Sequence, residues 1–244
     1  MAEQDTATAD GLLPILPCAE SDPADFCLAR AVGRIDEIEE WLQRIDRSSF
    51  TAPAPGLATT IEGAAAQMRS MYRLGIGDVP GAIAQARHAR ELEPVADAPT
   101  HAAAGYYLGV ALFWDDPDQA VPLLREFLDA TPDDAQDPRH RYAMALLVEA
   151  HALRGELDAA DRLARTAMER TQHFNLEEFP SATQLHIARA MAPLAHGELY
   201  TAEEHFERAV ALARRAGDRV EVAHTLLSDT LVGDRGVVWR HAAW

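Results

Sequence analysis

Gly77-Asp78-Val79-Pro80-Gly81-Ala82-Ile83-Ala84-Gln85-Ala86-Arg87-His88-Ala89-Arg90-Glu91-Leu92-Glu93-Pro94 reads as a turn followed by one complete amphipathic helix. Gly75 and Gly77 end the preceding helix, because glycine accepts the left-handed backbone that closes one. Asp78 is a natural N-cap and Pro80 falls in the first turn, where its missing N–H costs nothing. Ala82, Ala86 and Ala89 then lie on one stripe at helical spacings of four and three. Pro94 stands where the helix must stop, since proline cannot continue it.

The same text recurs along the chain. Turn signatures begin at Gly33, Gly77, Asp115, Gly155 and Gly197, with a weaker copy at Gly233, spaced 36 to 44 residues apart. Ala160, Leu163, Ala164 and Ala167 repeat the small apolar stripe, and so do Ala202, Phe206, Ala209 and Leu212. Pro132 follows a second helix as Pro94 does, while Pro99, Pro138 and Pro180 precede first helices. A period near 40 residues with two helices per period is a helical-hairpin repeat, and a single hairpin cannot bury its stripe without a neighbour. The expected fold is therefore all-α: an α-solenoid, a right-handed superhelix of about five antiparallel helix hairpins. The expected organisation is a flexible or capping segment over residues 1–22, in which Leu12, Leu13 and Ile15 could cap the first hairpin, a repeat domain over 23–236, and a tail over 237–244. Pro122 and Pro193 fall inside expected helices and should shift or kink them. In the tail, Trp239 or Trp244 is expected to pack on the last hairpin or on another subunit.

The G-D-x-x-x-A turn, a second alanine seven residues later and a proline five beyond that resemble the tetratricopeptide pattern. Ala82, Ala89 and Pro94 show all three features; Ala160 with Ala167, and Ala202 with Ala209, show two. The longer period, and the text A-H-A-L-R-G-E-L-D-A-A-D-R-L-A, look most like the helical-repeat sensor region of the large maltose-activator and LuxR-type transcriptional regulators. That resemblance covers roughly Ala24 to Val232. It implies a bacterial ligand- or protein-sensing binding module, in the form of an excised sensor region, a shortened relative or a stand-alone adaptor. The phosphate-loop motif and DNA-binding domain that such regulators usually carry are not found in this sequence.

In such superhelices the first helix of each pair lines the concave face. Carried onto this sequence, the resemblance places groove residues at Gln67 and Met71, at Tyr106, Val110 and Phe113, at Tyr142 and Glu149, and at Gln184, Ile187 and Met191. This set is apolar and aromatic with few charges. It suits a protein or peptide segment, or a small apolar effector. A groove-borne enzyme, with Glu149 beside Tyr106 or Tyr142 as a base, is the reading from a different class.

Composition narrows the chemistry further. The 244 residues carry a formal charge of −17, which opposes direct nucleic-acid binding. There is no lysine, so neither a Schiff-base lysine nor a phosphate-loop lysine is available. Cys18 and Cys27 form no C-x-x-C pair and read as free thiols of a reducing compartment. No apolar run reaches membrane-spanning length, and the acidic start lacks the features of a signal peptide, so a cytoplasmic protein is expected. None of the ten histidines pairs with another at H-x-x-x-H spacing; His186 and His196 share a helix but stand ten residues apart. No metal and no cofactor are expected. A homodimer is expected to be possible, because an uncapped repeat end exposes apolar surface.

Overall fold

A computed structural model describes residues 42–43, 58–131, 137–173, 177 and 182–216. Within them the chain forms eight helices: α1 (Ile61–Gly75), α2 (Val79–Leu92), α3 (Ala98–Phe113), α4 (Pro117–Ala130), α5 (Pro138–Leu153), α6 (Leu157–His173), α7 (Thr183–Ala195) and α8 (Leu199–Ala216). They pair as four antiparallel hairpins, α1/α2, α3/α4, α5/α6 and α7/α8, stacked in a solenoid-like array. The expected segments 1–22 and 237–244, the signatures at Gly33 and Gly233, both cysteines, Trp239 and Trp244 lie outside the described residues. No described helix is long and apolar enough to cross a membrane.

Three of the hairpin turns close in the same way. Gly77, Gly155 and Gly197 have φ values of 88°, 75° and 77°, a left-handed conformation that side chains disfavour. The residue after each glycine donates its backbone N–H to the carbonyl five positions earlier: Asp78 to Arg73, Glu156 to His151 and Glu198 to Pro193, at 2.8–2.9 Å. This is the bond that satisfies the open carbonyls of a helix end. The α3–α4 turn lacks the glycine and uses a tighter link, Asp116 N–H to the Leu112 carbonyl at 2.7 Å. Asp78 then caps α2 by accepting from the Gly81 N–H at 3.0 Å. That bond, helped by Arg73, holds its carboxyl below the usual range.

Aligned on Asp78, Asp116, Glu156 and Glu198, the second helices show why the stripe is alanine-rich. Four residues on, Ala82, Ala120, Ala160 and Ala202 are all buried. Eleven residues on stand Ala89, Phe127, Ala167 and Ala209, also buried. Apart from Phe127, the small side chains there let each second helix approach its neighbours closely. Where α4 carries Leu124 in place of the alanines Ala86 and Ala164, the facing first helix offers Gly109. A methyl group at Gly109 would stand 3.1 Å from Leu124 Cγ. Gly109→Val is expected to destabilise the protein by about 1–3 kcal/mol through overpacking, checked by urea unfolding.

Pro122 lies within α4, which continues through it, and Pro193 lies near the end of α7. Pro122 is exposed, so the backbone bond it removes faces water.

The first helices pack against one another in succession, α1 on α3, α3 on α5 and α5 on α7, and each second helix packs on the first helix of the next hairpin. Second helices are tied across hairpins by side chains: Arg90 of α2 reaches Glu126 of α4 at 2.8 Å. Asp118 of α4 pairs with Arg154 at the end of α5, and Asp161 of α6 lies 3.8 Å from Arg189 of α7. The first helices thus form a layer in direct mutual contact. One core cluster runs from α1 to α5 and includes Leu42 and Ala58. Leu163 and Leu128 connect it to a second cluster in α5–α7, and Ala152 connects that to a third in α7–α8.

Candidate functional site

The ten residues expected to line the groove all lie on the first-helix layer: Gln67 and Met71 on α1, Tyr106, Val110 and Phe113 on α3, Tyr142 and Glu149 on α5, Gln184, Ile187 and Met191 on α7. All ten are buried. Met71, Tyr106, Val110, Phe113 and Tyr142 meet in one core cluster, while Ile187 and Met191 belong to the α7–α8 cluster. Burial surrounds these helices: residues 102–113 of α3 and 140–150 of α5 are buried without interruption. A helix enclosed on all sides has no amphipathic period to display, which is why α3 and α5 read differently from their partner helices.

The layer is not uniformly apolar. Seven residues before the aligned acidic positions stand Met71, Gly109, Glu149 and Met191, so Glu149 places a carboxyl in a slot that is otherwise uncharged. Glu149 and Tyr142 are both engaged by neighbouring groups. Gln184 differs. It is 0% exposed, and neither its Oε1 nor its Nε2 has a hydrogen-bond partner. The Ser70 hydroxyl on α1 is in the same condition. Buried polar groups are nearly always paired, so an open amide with two donors and one acceptor needs a reason.

The second notable arrangement was hidden by counting along one helix. His186 of α7 does not approach His196; it faces His205 of α8, with Nδ1 to Nδ1 at 3.4 Å and ring centroids 5.7 Å apart. The two positions lie at similar distances on either side of the Gly197 turn, so an antiparallel hairpin brings them together. The other nitrogen of His186, Nε2, lies 3.3 Å from the Glu177 backbone carbonyl. Glu177 Oε2 is buried and has no partner. Burial, then His186 and Arg189, push His205 down to about 4. Burial also lowers His186, against the opposing pull of Glu177. Both shifts favour the neutral ring. His151, by contrast, is paired with Glu156 at the α5–α6 turn and lies 3.5 Å from Arg125. Among the described residues no three His, Cys, Asp or Glu side chains are gathered into a ready metal site.

Apart from Val95, in the α2–α3 connection, the exposed large apolar side chains of the described residues lie at the turn edge. Ile76, Leu153, Leu199 and Tyr200 all flank hairpin turns, and Tyr200 is 89% exposed. An open hollow of about 400 Å³ lies on this edge between the third and fourth hairpins, lined by residues 155–159 with Arg162 and His196. Its carboxylates and cations are mixed, so it shows no preference for one sign of charge.

No protein-family model matches this sequence, and no curated protein is significantly similar to it.

Proposed function

We propose that this chain is a non-catalytic binding module that takes a protein or peptide segment on its first-helix layer, in the manner of a tetratricopeptide array and of the sensor regions it resembles. The observation that carries this reading is Gln184, whose buried amide is left open on both its donor and acceptor sides. An extended peptide offers one N–H and one C=O per residue, the complement that such an amide lacks. The groove residues Gln67, Met71, Tyr106, Val110, Phe113, Tyr142, Glu149, Ile187 and Met191 would supply the apolar and aromatic walls beside it. The layer is closed in this structure, so binding requires a change in hairpin spacing. A stack that contacts only its neighbours can make that change in small steps. This coupling between partner and spacing is what a sensor region needs.

The three glycine turns, with their repeated closure and buried alanines, support the tetratricopeptide character. A bacterial, cytoplasmic regulatory role follows from the resemblance. The reading calls for no cofactor and no direct nucleic-acid contact, and it leaves room for a homodimer.

Gln184→Met tests the assignment through two readouts with opposite signs. Removing an unpaired buried amide is expected to leave stability unchanged or raise it by up to about 1–3 kcal/mol, because the desolvation cost of that amide disappears. The same variant, used as bait in native host extract, is expected to lose the partner that the wild-type chain retains. Retention of the same partner by both chains would overturn the assignment.

A further inference from the structure

We propose that the His186–His205 contact is an acid-released latch, which holds α7 against α8 while the two rings share at most one added proton and lets the fourth hairpin open in mild acid. The latch is independent of what the first-helix layer binds.

Its working follows from where the hydrogens sit. The Glu177 backbone carbonyl only accepts, so the His186 Nε2 that faces it at 3.3 Å carries a hydrogen. In the neutral ring Nδ1 then holds a lone pair, and His205 Nδ1 donates its hydrogen to it across 3.4 Å. The ring centroids lie 5.7 Å apart at an interplanar angle of 38°, so the rings also pack on each other. Nε2 of the half-buried His205 is left as the acceptor, and a first proton placed there keeps the Nδ1 donor in position. A second proton must go to His186 Nδ1. It sets N–H against N–H, the bond is lost, and two cations face each other between the helices.

The surroundings give the protonated pair little support. His186 is 4% exposed, and burial is the largest influence on both rings. Arg189 of α7 disfavours a charge on either ring. Asp161 of α6 lies 3.8 Å from Arg189, but it also holds Arg165 at 3.2 Å. Glu177 favours a charge on His186, by less than burial opposes it. Among the described residues the charges acting on the pair are therefore Arg189, Glu177 and the rings themselves; α5, which also packs on α7, supplies none.

The sign of the pH effect is fixed by these groups. In an opened hairpin the rings return to their ordinary value of 6.5, whereas the closed contact holds His205 at about 4. Protons therefore bind the open form more tightly, and closure weakens as pH falls from 6.5 towards 4. Across that window His205 alone raises the opening constant by up to about 300-fold, roughly tenfold per pH unit. His186, also lowered, acts in the same direction.

The test is native-state hydrogen exchange of the full chain at pH 7, 6 and 5, corrected for intrinsic exchange, in wild type and His205→Gln. The glutamine amide keeps an N–H for His186 Nδ1 and has nothing to titrate. In wild type, protection of α7 and α8 amides is expected to fall roughly tenfold from pH 6 to pH 5, while α1 and α2 keep theirs. In His205→Gln the fall should be less than about threefold. Equal falls in the two proteins, no fall in wild type, or an equal fall from α1 to α8 would overturn the latch. An NMR titration of the imidazole carbons needs no variant: a His205 midpoint well below 6.5 is expected, and a midpoint at 6.5 would overturn the latch as well.

Discussion

Phe127→Ala should lose about 3–5 kcal/mol of stability in urea unfolding, although alanine occupies the matching position in the three other described hairpins. The reason lies in what has grown around the ring. Phe127 is 0% exposed and, from α4, meets the helices on either side, α3 and α5. Tyr106 of α3 packs against it with ring centroids 4.8 Å apart, and His140 of α5 meets it edge-on at 5.1 Å. The Arg139 guanidinium lies 5.5 Å above its centroid. The hydroxyl of Thr131 donates to the Phe127 backbone carbonyl at 2.6 Å and lies 2.7 Å from His140 Nε2, so the end of α4 is tied to α5 by a polar contact as well. At Ala89, Ala167 and Ala209 the neighbours have closed around a methyl group. At Phe127 they are spaced by a ring, and rigid helices cannot collapse into the void. The loss is therefore a cavity cost added to the transfer cost. A measured loss below about 1 kcal/mol would mean that the α3–α5 spacing adjusts freely, and the solenoid would then be far softer than this packing implies.

The contrast between Phe127 and its alanine counterparts shows what the sequence disclosed and what it withheld. Turn chemistry is local: a left-handed glycine, an acidic cap and a proline in the first turn act within a few residues. Hairpin positions at Gly77, Gly155 and Gly197 were therefore legible, as was the alanine stripe of the second helices. The first helices gave less, because α3 and α5 are buried on every side and carry no amphipathic contrast from which to read a face. Assigning Tyr106 or Glu149 to a groove rested on a family offset, not on any periodic signal. The His186–His205 pair was missed for a related reason. Spacing rules for metal ligands were applied along single helices, whereas the contact is made across the Gly197 turn. His186 stands eleven residues before Gly197 and His205 eight after it, so the pair emerges only when the two helices are laid side by side across the turn. The open amide of Gln184 has no sequence signature at all. Its condition depends on which neighbours fail to reach it.

Phe206→Ala should separate local from global stability. Phe206 is fully buried among Ile187, Ala190, Met191, Ala202 and Ala209, a cluster confined to α7 and α8. Its removal is expected to cost about 3–5 kcal/mol, as at Phe127, but to register in a different place. In a stack where each hairpin contacts only its neighbours, one hairpin can open while those farther along the stack stay formed. Native-state hydrogen exchange should therefore show amides of α7 and α8 exchanging faster by roughly a hundredfold or more, at about 1.4 kcal/mol per tenfold. Amides of α1 and α2 should keep their wild-type rates. Ala152, which links this cluster to the next, marks where the effect should fade. Uniform acceleration from α1 to α8 would show that the four hairpins unfold as one unit. Hairpin spacing could not then shift stepwise, and the proposed coupling between partner binding and spacing would lose its mechanical basis.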